Sequence, residues 1–181
     1  MRVLITGIAG FIGAHCAHKL LSGKHDIAGI DNFNNDYSLK LKNDRIQWLK
    51  SKSDKLTVYH LDISENQKLF DAFNEFKPNY VIHLAAQAGV RYSIENPHAC
   101  LDSNLKGFLN TLEACRTHPV KHLIYAFSNS AYGTNNKTPY ATNDSSPIKD
   151  FDWDAHNPSP SSSSAAWRIL NIGGSPTHRV A

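Results

Sequence analysis

The sequence predicts an α/β fold, a parallel sheet wound with helices on both faces, and three observations carry that expectation. Apolar runs of strand length alternate with amphipathic runs of helical period from residue 2 to about 128. The first run, Arg2-Val3-Leu4-Ile5-Thr6, passes into the glycine turn Gly7-Ile8-Ala9-Gly10-Phe11-Ile12-Gly13. Several later runs end in a polar or small residue at the same relative place: Asp31, Asp62, Ala85-Ala86 and Ser128. In a doubly wound sheet those positions gather at the strand C-termini, where the ligand crevice lies.

The elements follow in order. Strand one is expected at about 2–6, then a helix at about 11–22 with Ile12, Cys16, Leu20 and Leu21 turned inward. Strand two covers about 26–30, and a basic helix at about 38–51 carries Leu41, Ile46, Trp48 and Leu49. Strand three, Leu56 to Leu61, ends at Asp62. Ser64 reads as the N-cap of a helix whose Leu69, Phe70, Phe73 and Phe76 share one face, and Pro78 stops it. Strand four runs from Tyr80 to Ala85. A long helix at about 97–117 repeats Leu101, Leu105, Phe108, Leu109, Leu112 and Cys115 at helical spacing, and strand five is His122 to Phe127. The rhythm then fails. Residues 133–166 have a Pro/Ser-rich linker composition, and Trp167 to Ile172 reads as one short C-terminal strand before Gly173-Gly174.

Composition narrows the function. The 181 residues allow one domain with a real core, and 41% hydrophobic with 19% charged residues is ordinary for a globular protein. The net charge of +3 is scattered; the densest basic stretch, Lys40 to Lys55, is broken by Asp44 and Asp54 and reads as a solvated helix face, so no nucleic-acid partner is expected. Three distant cysteines, Cys16, Cys100 and Cys115, form neither a disulfide framework nor a metal spacing, which fits a reducing cytoplasm. No metal site and no membrane span are expected, and strand one at the very start leaves no room for a leader.

The glycine turn carries the chemistry. Gly7 permits the tight turn, Gly10 lets a pyrophosphate approach the backbone, and Gly13 lets helix and strand pack closely. The free amides of the helix N-terminus then face the phosphates. Asp31 falls about 20 residues on, where a carboxylate accepts from the adenosine ribose hydroxyls. Asn32, Phe33, Asn34 and Asn35 follow with no cation for a 2′-phosphate, which favours NAD over NADP.

Several segments together resemble the extended short-chain dehydrogenase/reductase family, and within it the nucleotide-sugar 4-epimerases acting on UDP-glucuronate. They are Thr6 to Gly13, Ile30-Asp31-Asn32-Phe33-Asn34, the run His83 to Ser93, Asn96-Pro97, Asp102 to Gly107 and Ser128 to Gly133. The resemblance covers residues 1 to about 149 and implies a Rossmann-type NAD-binding domain at 1–132, the linker at 133–166 and a remnant of the sugar-binding region at 167–181. Carried over by position, Gly7, Gly10, Phe11, Ile12 and Gly13 would hold the pyrophosphate, and Asp31 and Asn32 the ribose. Asp62 and Ile63 would flank the adenine, while Leu84, Ala85, Ala86 and Gln87 would line the path to the nicotinamide. Asn104 would support the site, and Ser128 would be the catalytic hydroxyl bonded to the sugar oxygen. Arg91 and Tyr132 would lie on the nucleotide-sugar side.

One departure matters for chemistry. The family's base is a Tyr in Y-x-x-x-K some 20–25 residues past that Ser, with the Lys one turn on. None of the seven tyrosines here has Lys four residues later, and the expected region reads Lys149-Asp150-Phe151-Asp152-Trp153-Asp154. The pattern resembles an internally deleted copy, truncated after strand five, with impaired catalysis. The uncovered strand five and fourth helix are expected to drive self-association, or to be capped by the C-terminal strand.

Overall fold

In the computed structural model of the chain, residues 1–127 and 166–171 are described. Six strands form one sheet: β1 (Arg2–Thr6), β2 (Asp26–Asp31), β3 (Leu56–His60), β4 (Tyr80–His83), β5 (His122–Phe127) and β6 (Ala166–Asn171). Their order is β3-β2-β1-β4-β5-β6 and every pairing is parallel. The order reverses between β1 and β4, so the crevice opens above the C-terminal ends of those two strands.

Alternation along the strands divides the core in two. Val3, Ile5 and Ile27 pack with Ala14, Ala17 and Leu21 of α1 (Phe11–Ser22) and with Ile46 and Leu49 of α2 (Leu39–Lys50). On the other face, Leu4, Val81 and Leu123 meet Leu69 and Phe73 of α3 (Asn66–Phe76) and Ala114 and Cys115 of α6 (Phe108–Thr117). Helices thus lie on both faces of the sheet, α1 and α2 on one and α3 and α6 on the other, as the sequence leads one to expect.

Three details differ from the sequence reading. The buried face of α1 is Gly13, Ala14, Ala17 and Leu21, and Ile12 is exposed: small residues sit where helix meets strand because the close approach leaves no room for a branched one. Ser64 does not cap α3; the cap position is Glu65, and Asp62 instead turns the chain, its Oδ1 accepting from the Ser64 amide at 2.8 Å. The long fourth helix is broken into α4 (Val90–Glu95), α5 (Pro97–Leu101), a π-helical stretch (Asp102–Gly107) and α6. The C-terminal strand caps strand five, one of the two outcomes expected, and β6 joins the sheet. Its residues pair in register with β5, from His122 with Ala166 to Phe127 with Asn171, so the C-terminal strand caps the edge that β5 would otherwise present. The linker lies outside the described residues.

Candidate functional site

The turn after β1 is shaped by backbone proximity. Gly7 has φ +72°, and a Cβ there would come within 2.8 Å of the Ala85 nitrogen. At Gly13 a Cβ would overlap the Gly7 carbonyl oxygen. The loop after β1, the start of α1 and the loop after β4 therefore touch along bare backbone. Gly10 occupies the N-cap of α1 without a side chain to satisfy the first turn, so the amides of the helix start are available to an anion.

Asp31 closes β2 and is 8% exposed. Its Oδ2 accepts from the Ala9 amide at 3.0 Å and its Oδ1 from the Phe33 amide at 3.0 Å. The carboxylate thus ties the glycine turn to the end of β2. A cation, which the sequence reading placed nowhere near, completes this knot. Lys42 on α2 is 4% exposed, and its Nζ lies 4.0 Å from Asp31 Oδ1. That ammonium also donates to the carbonyl of Asn34 at 2.9 Å and to its side-chain oxygen, and sits 4.7 Å above the Tyr37 ring. The Lys42 charge is thereby spent on local partners. Arg45, one turn further along α2, donates to the Ala9 carbonyl at 3.0 Å and to the Tyr37 hydroxyl at 3.0 Å.

Next along the crevice, Asn32 donates to Asp62 Oδ2 at 2.7 Å and accepts from the Asn34 amide at 3.1 Å. Burial alone would raise the Asp62 carboxyl. The bonds from Asn32 and Ser64, with the charge of Lys106, outweigh it and hold the group below the usual carboxylate range. Asn104, in the π-helical stretch, accepts from the Gln87 amide at 2.8 Å and donates to the Gln87 carbonyl at 3.0 Å. This two-point bond fixes the loop after β4, a use of a π-helical turn seen often at sites.

Two cavities result. The first, about 270 Å³, is lined by Gly7, Gly10, Asp31, Asn32, Ile63 and the Leu84–Gln87 segment, together with Asn34, Asp36, Tyr37, Lys42 and Ser103. The second, about 470 Å³, lies beyond Leu84–Ala88 and is lined by His83, Asn104, Phe108, Tyr125 and Ala126. Phe11 and Ile12 stand exposed at the start of α1 and line neither of these cavities. Arg91 is exposed on α4 and lines neither cavity. Ser128 and Tyr132 lie outside the described residues.

Sequence reasoning missed Tyr37, Lys42 and Arg45, which reach the turn from α2 and the loop before it. A signal existed in Lys42 and Arg45, spaced so that both lie toward one side of α2, but it looked like a solvated basic helix. His83 has a structural bond on one side of its ring. His83 Nδ1 lies 2.9 Å from the Thr6 hydroxyl, which accepts from the Leu84 and Ala85 amides at 3.1 Å each. Burial pushes the imidazole down to about 4.

A parallel sheet with this order, a glycine turn after β1 and an acidic residue closing β2 defines the dinucleotide-binding class of doubly wound folds. The chain belongs to the NAD dependent epimerase/dehydratase family, whose pattern matches residues 3–154. It is 44% identical over 144 residues to Protein CapI of Staphylococcus aureus, covering 80% of this chain and 42% of that one. Against UDP-glucuronate 4-epimerase 1 of Arabidopsis thaliana it is 39% identical over 145 residues, covering 80% of this chain and 33% of that one. Among solved structures, UDP-glucuronic acid 4-epimerase from Bacillus cereus, in complex with UDP-glucuronic acid and NAD, superposes with a TM-score of 0.71 at 28% identity. That match covers 81% of this chain and 46% of the other. The chain thus spans less than half the length of these relatives. Among the described residues no helix is long and apolar enough to cross a membrane, and no group of three or more His, Cys, Asp or Glu is placed to hold a metal.

Proposed function

We propose that this chain binds NAD along the two cavities and is the cofactor-binding part of a nucleotide-sugar 4-epimerase of the UDP-glucuronate kind. One observation carries the reading: the bare-backbone turn from Gly7 to Gly13 is tied directly to the Asp31 carboxylate, which lines the same cavity. Any Cβ at Gly7 or Gly13 would meet backbone that cannot yield, so the turn keeps its amides open to a pyrophosphate. Gly7, Gly10, Phe11, Ile12 and Gly13 take the phosphates in this reading. Asp31 takes the ribose, and Asn32, bonded to Asp62, braces the adenine side beside Ile63. The Leu84–Gln87 wall, held by Asn104, leads toward the nicotinamide. NAD, once bound, supplies a hydride acceptor; the residues orient it and exclude water.

NAD is preferred over NADP because the cation beside Asp31 is neutralised. Lys42 pairs with Asp31 and bonds Asn34, so a 2′-phosphate meets a charge-balanced pair rather than a free cation. The sugar end is carried by sequence alone: Ser128 as the hydroxyl partner of the oxidised oxygen, Arg91 toward substrate carboxylate or phosphate, Tyr132 as a wall. Without a Tyr-x-x-x-Lys pair the chain has no tuned base, a loss of about 10²–10⁴-fold. We therefore expect NAD binding without epimerisation. The dispersed cysteines suit a reducing cytoplasm.

The test is calorimetry with NAD and NADP, followed by product analysis with UDP-glucuronate. Equal affinity for the two cofactors, or epimer formed within about 100-fold of typical enzyme rates, overturns the corresponding half of the proposal. A second reading, a non-catalytic NAD-binding interaction module, is favoured by Leu101, Leu105 and Leu109. They are 51%, 64% and 57% exposed and spaced along one stretch of helix.

A further inference from the structure

We propose that the Nε2–H of His83 is a hydrogen-bond donor for the carboxamide of a pyridine dinucleotide whose adenosine half occupies the first cavity. The proposal rests on the dinucleotide reading above and assigns its far end.

The Thr6 hydroxyl determines the tautomer. An sp³ hydroxyl oxygen has two lone pairs and one hydrogen. The Ala85 amide donates to it at 3.1 Å, and the Leu84 amide divides its hydrogen between this oxygen at 3.1 Å and the Thr6 carbonyl at 3.2 Å, which uses the lone pairs. Its hydrogen therefore goes to His83 Nδ1 at 2.9 Å, and the ring's own hydrogen is on Nε2. The ring is 6% exposed and lies 5.3 Å from the Phe108 ring. The ring is bonded through Nδ1, and His83 lines the second cavity, onto which its other edge can open. An N–H at a cavity wall is open to an acceptor that a ligand brings there.

The cavity's chemistry selects that ligand. It shares the Leu84–Ala88 wall with the first cavity, so one extended molecule can occupy both. Its described lining holds two amide side chains, Gln87 and Asn104, and the aromatic rings of Phe108 and Tyr125, with no ionised side chain. Such walls suit a flat ring bearing an uncharged oxygen acceptor and give a carboxylate or phosphate no counter-charge. Burial keeps the imidazole neutral at pH 7, so it does not repel a positively charged pyridinium ring.

The test compares NAD with ADP-ribose, which lacks the nicotinamide, by calorimetry on the full chain. His83→Asn keeps an oxygen where Nδ1 accepts from Thr6 and removes the Nε2–H. We expect it to weaken NAD by about five- to tenfold and to leave ADP-ribose unchanged. His83→Gln, whose amide nitrogen reaches toward the Nε2 position, should recover part of the loss. In ¹⁵N spectra the wild-type imidazole should show an Nε2–H tautomer at neutral pH that shifts with NAD and not with ADP-ribose. Equal weakening of both ligands in the Asn variant, or undiminished NAD binding with no imidazole shift, overturns the assignment. A wild-type chain that binds neither ligand overturns the dinucleotide reading itself.

Discussion

The two halves of the sheet have opposite characters. On the β1–β3 side, side-chain bonds close on one another: Asp31 holds two amides and faces Lys42, Lys42 holds Asn34, Asn32 holds Asp62, and Arg45 with Tyr37 holds the Ala9 carbonyl. On the β4–β6 side, the loop after β4 is pinned by Asn104, yet His83 lines the second cavity and three leucines face solvent. A half that is saturated before any ligand arrives is preorganised for an invariant group such as an adenosine diphosphate. A half left open keeps its groups free for a ligand part that it must still order on binding.

If the β1–β3 side is a closed knot, cutting it should cost more than any cut on the other side. Asp31→Ala removes two amide acceptors and leaves Lys42 buried without its counter-charge. Stability should fall by about 3–5 kcal/mol, the usual cost of orphaning a buried charge, as read from urea unfolding. Asp31→Ala,Lys42→Met together should cost clearly less than Asp31→Ala alone. An additive double variant would show that the two charges do not interact and that the knot is an accident of proximity.

The open side should reveal itself through acid. His83 has an unfolded value of 6.5 and a folded one of about 4. Between those values the unfolded chain binds a proton that the native chain refuses, so stability falls as pH drops through that window and levels off below it. The loss attributable to this ring is about 3 kcal/mol. His83→Asn should flatten the pH dependence of unfolding between pH 6.5 and 4. A slope unchanged in the variant would place the acid sensitivity of that window in a group other than His83.

How far this division was legible in the sequence depends on the range of the interactions. The strand–turn–helix and Asp31 were legible because their spacing is local and dictated by backbone geometry. The bounds of β5 match the expected His122–Phe127, since an apolar run flanked by polar residues leaves little freedom. Lys42 was not legible, because its meaning depends on α2 returning over the end of β2, a tertiary fact. The π-helical break was hidden for another reason. Leucines at i, i+4 and i+8 look like a core stripe, but the helix packs through Gly107, Asn110, Thr111, Ala114 and Cys115 instead, leaving Leu101, Leu105 and Leu109 outside. The candidate catalytic end, Ser128 with Tyr132, lies beyond the described residues, so the sequence remains its only witness.

The β5–β6 pairing tests whether the open side is closed at its edge. Removing residues 158–181 deletes β6 and exposes the N–H and C=O row of β5. Loss of the ladder should cost about 2 kcal/mol or more, a fall of roughly 4–8 °C in Tm for a chain of this size. An unchanged Tm would mean that β6 contributes nothing to the fold, and that the half-sheet ends at β5 in solution.

The smallest effect on stability should come from the leucines, and there the informative readout is association. Leu105 and Leu109 are 64% and 57% exposed, one turn apart across the junction of the π-helical stretch and α6. Replacing exposed side chains away from buried partners shifts stability by no more than about 0.5 kcal/mol. If the stripe is the surface through which two copies of this chain meet, Leu105→Lys,Leu109→Lys should turn a concentration-dependent dimer into a monomer in sedimentation, because two lysines on each copy cannot be buried unpaired. Tm at low concentration should not move. A wild-type chain that sediments as a monomer throughout the micromolar range removes self-association from the account. A variant that loses several degrees of Tm would instead show that these leucines are covered within the chain, and that the two halves of the sheet are less different than their described surfaces imply.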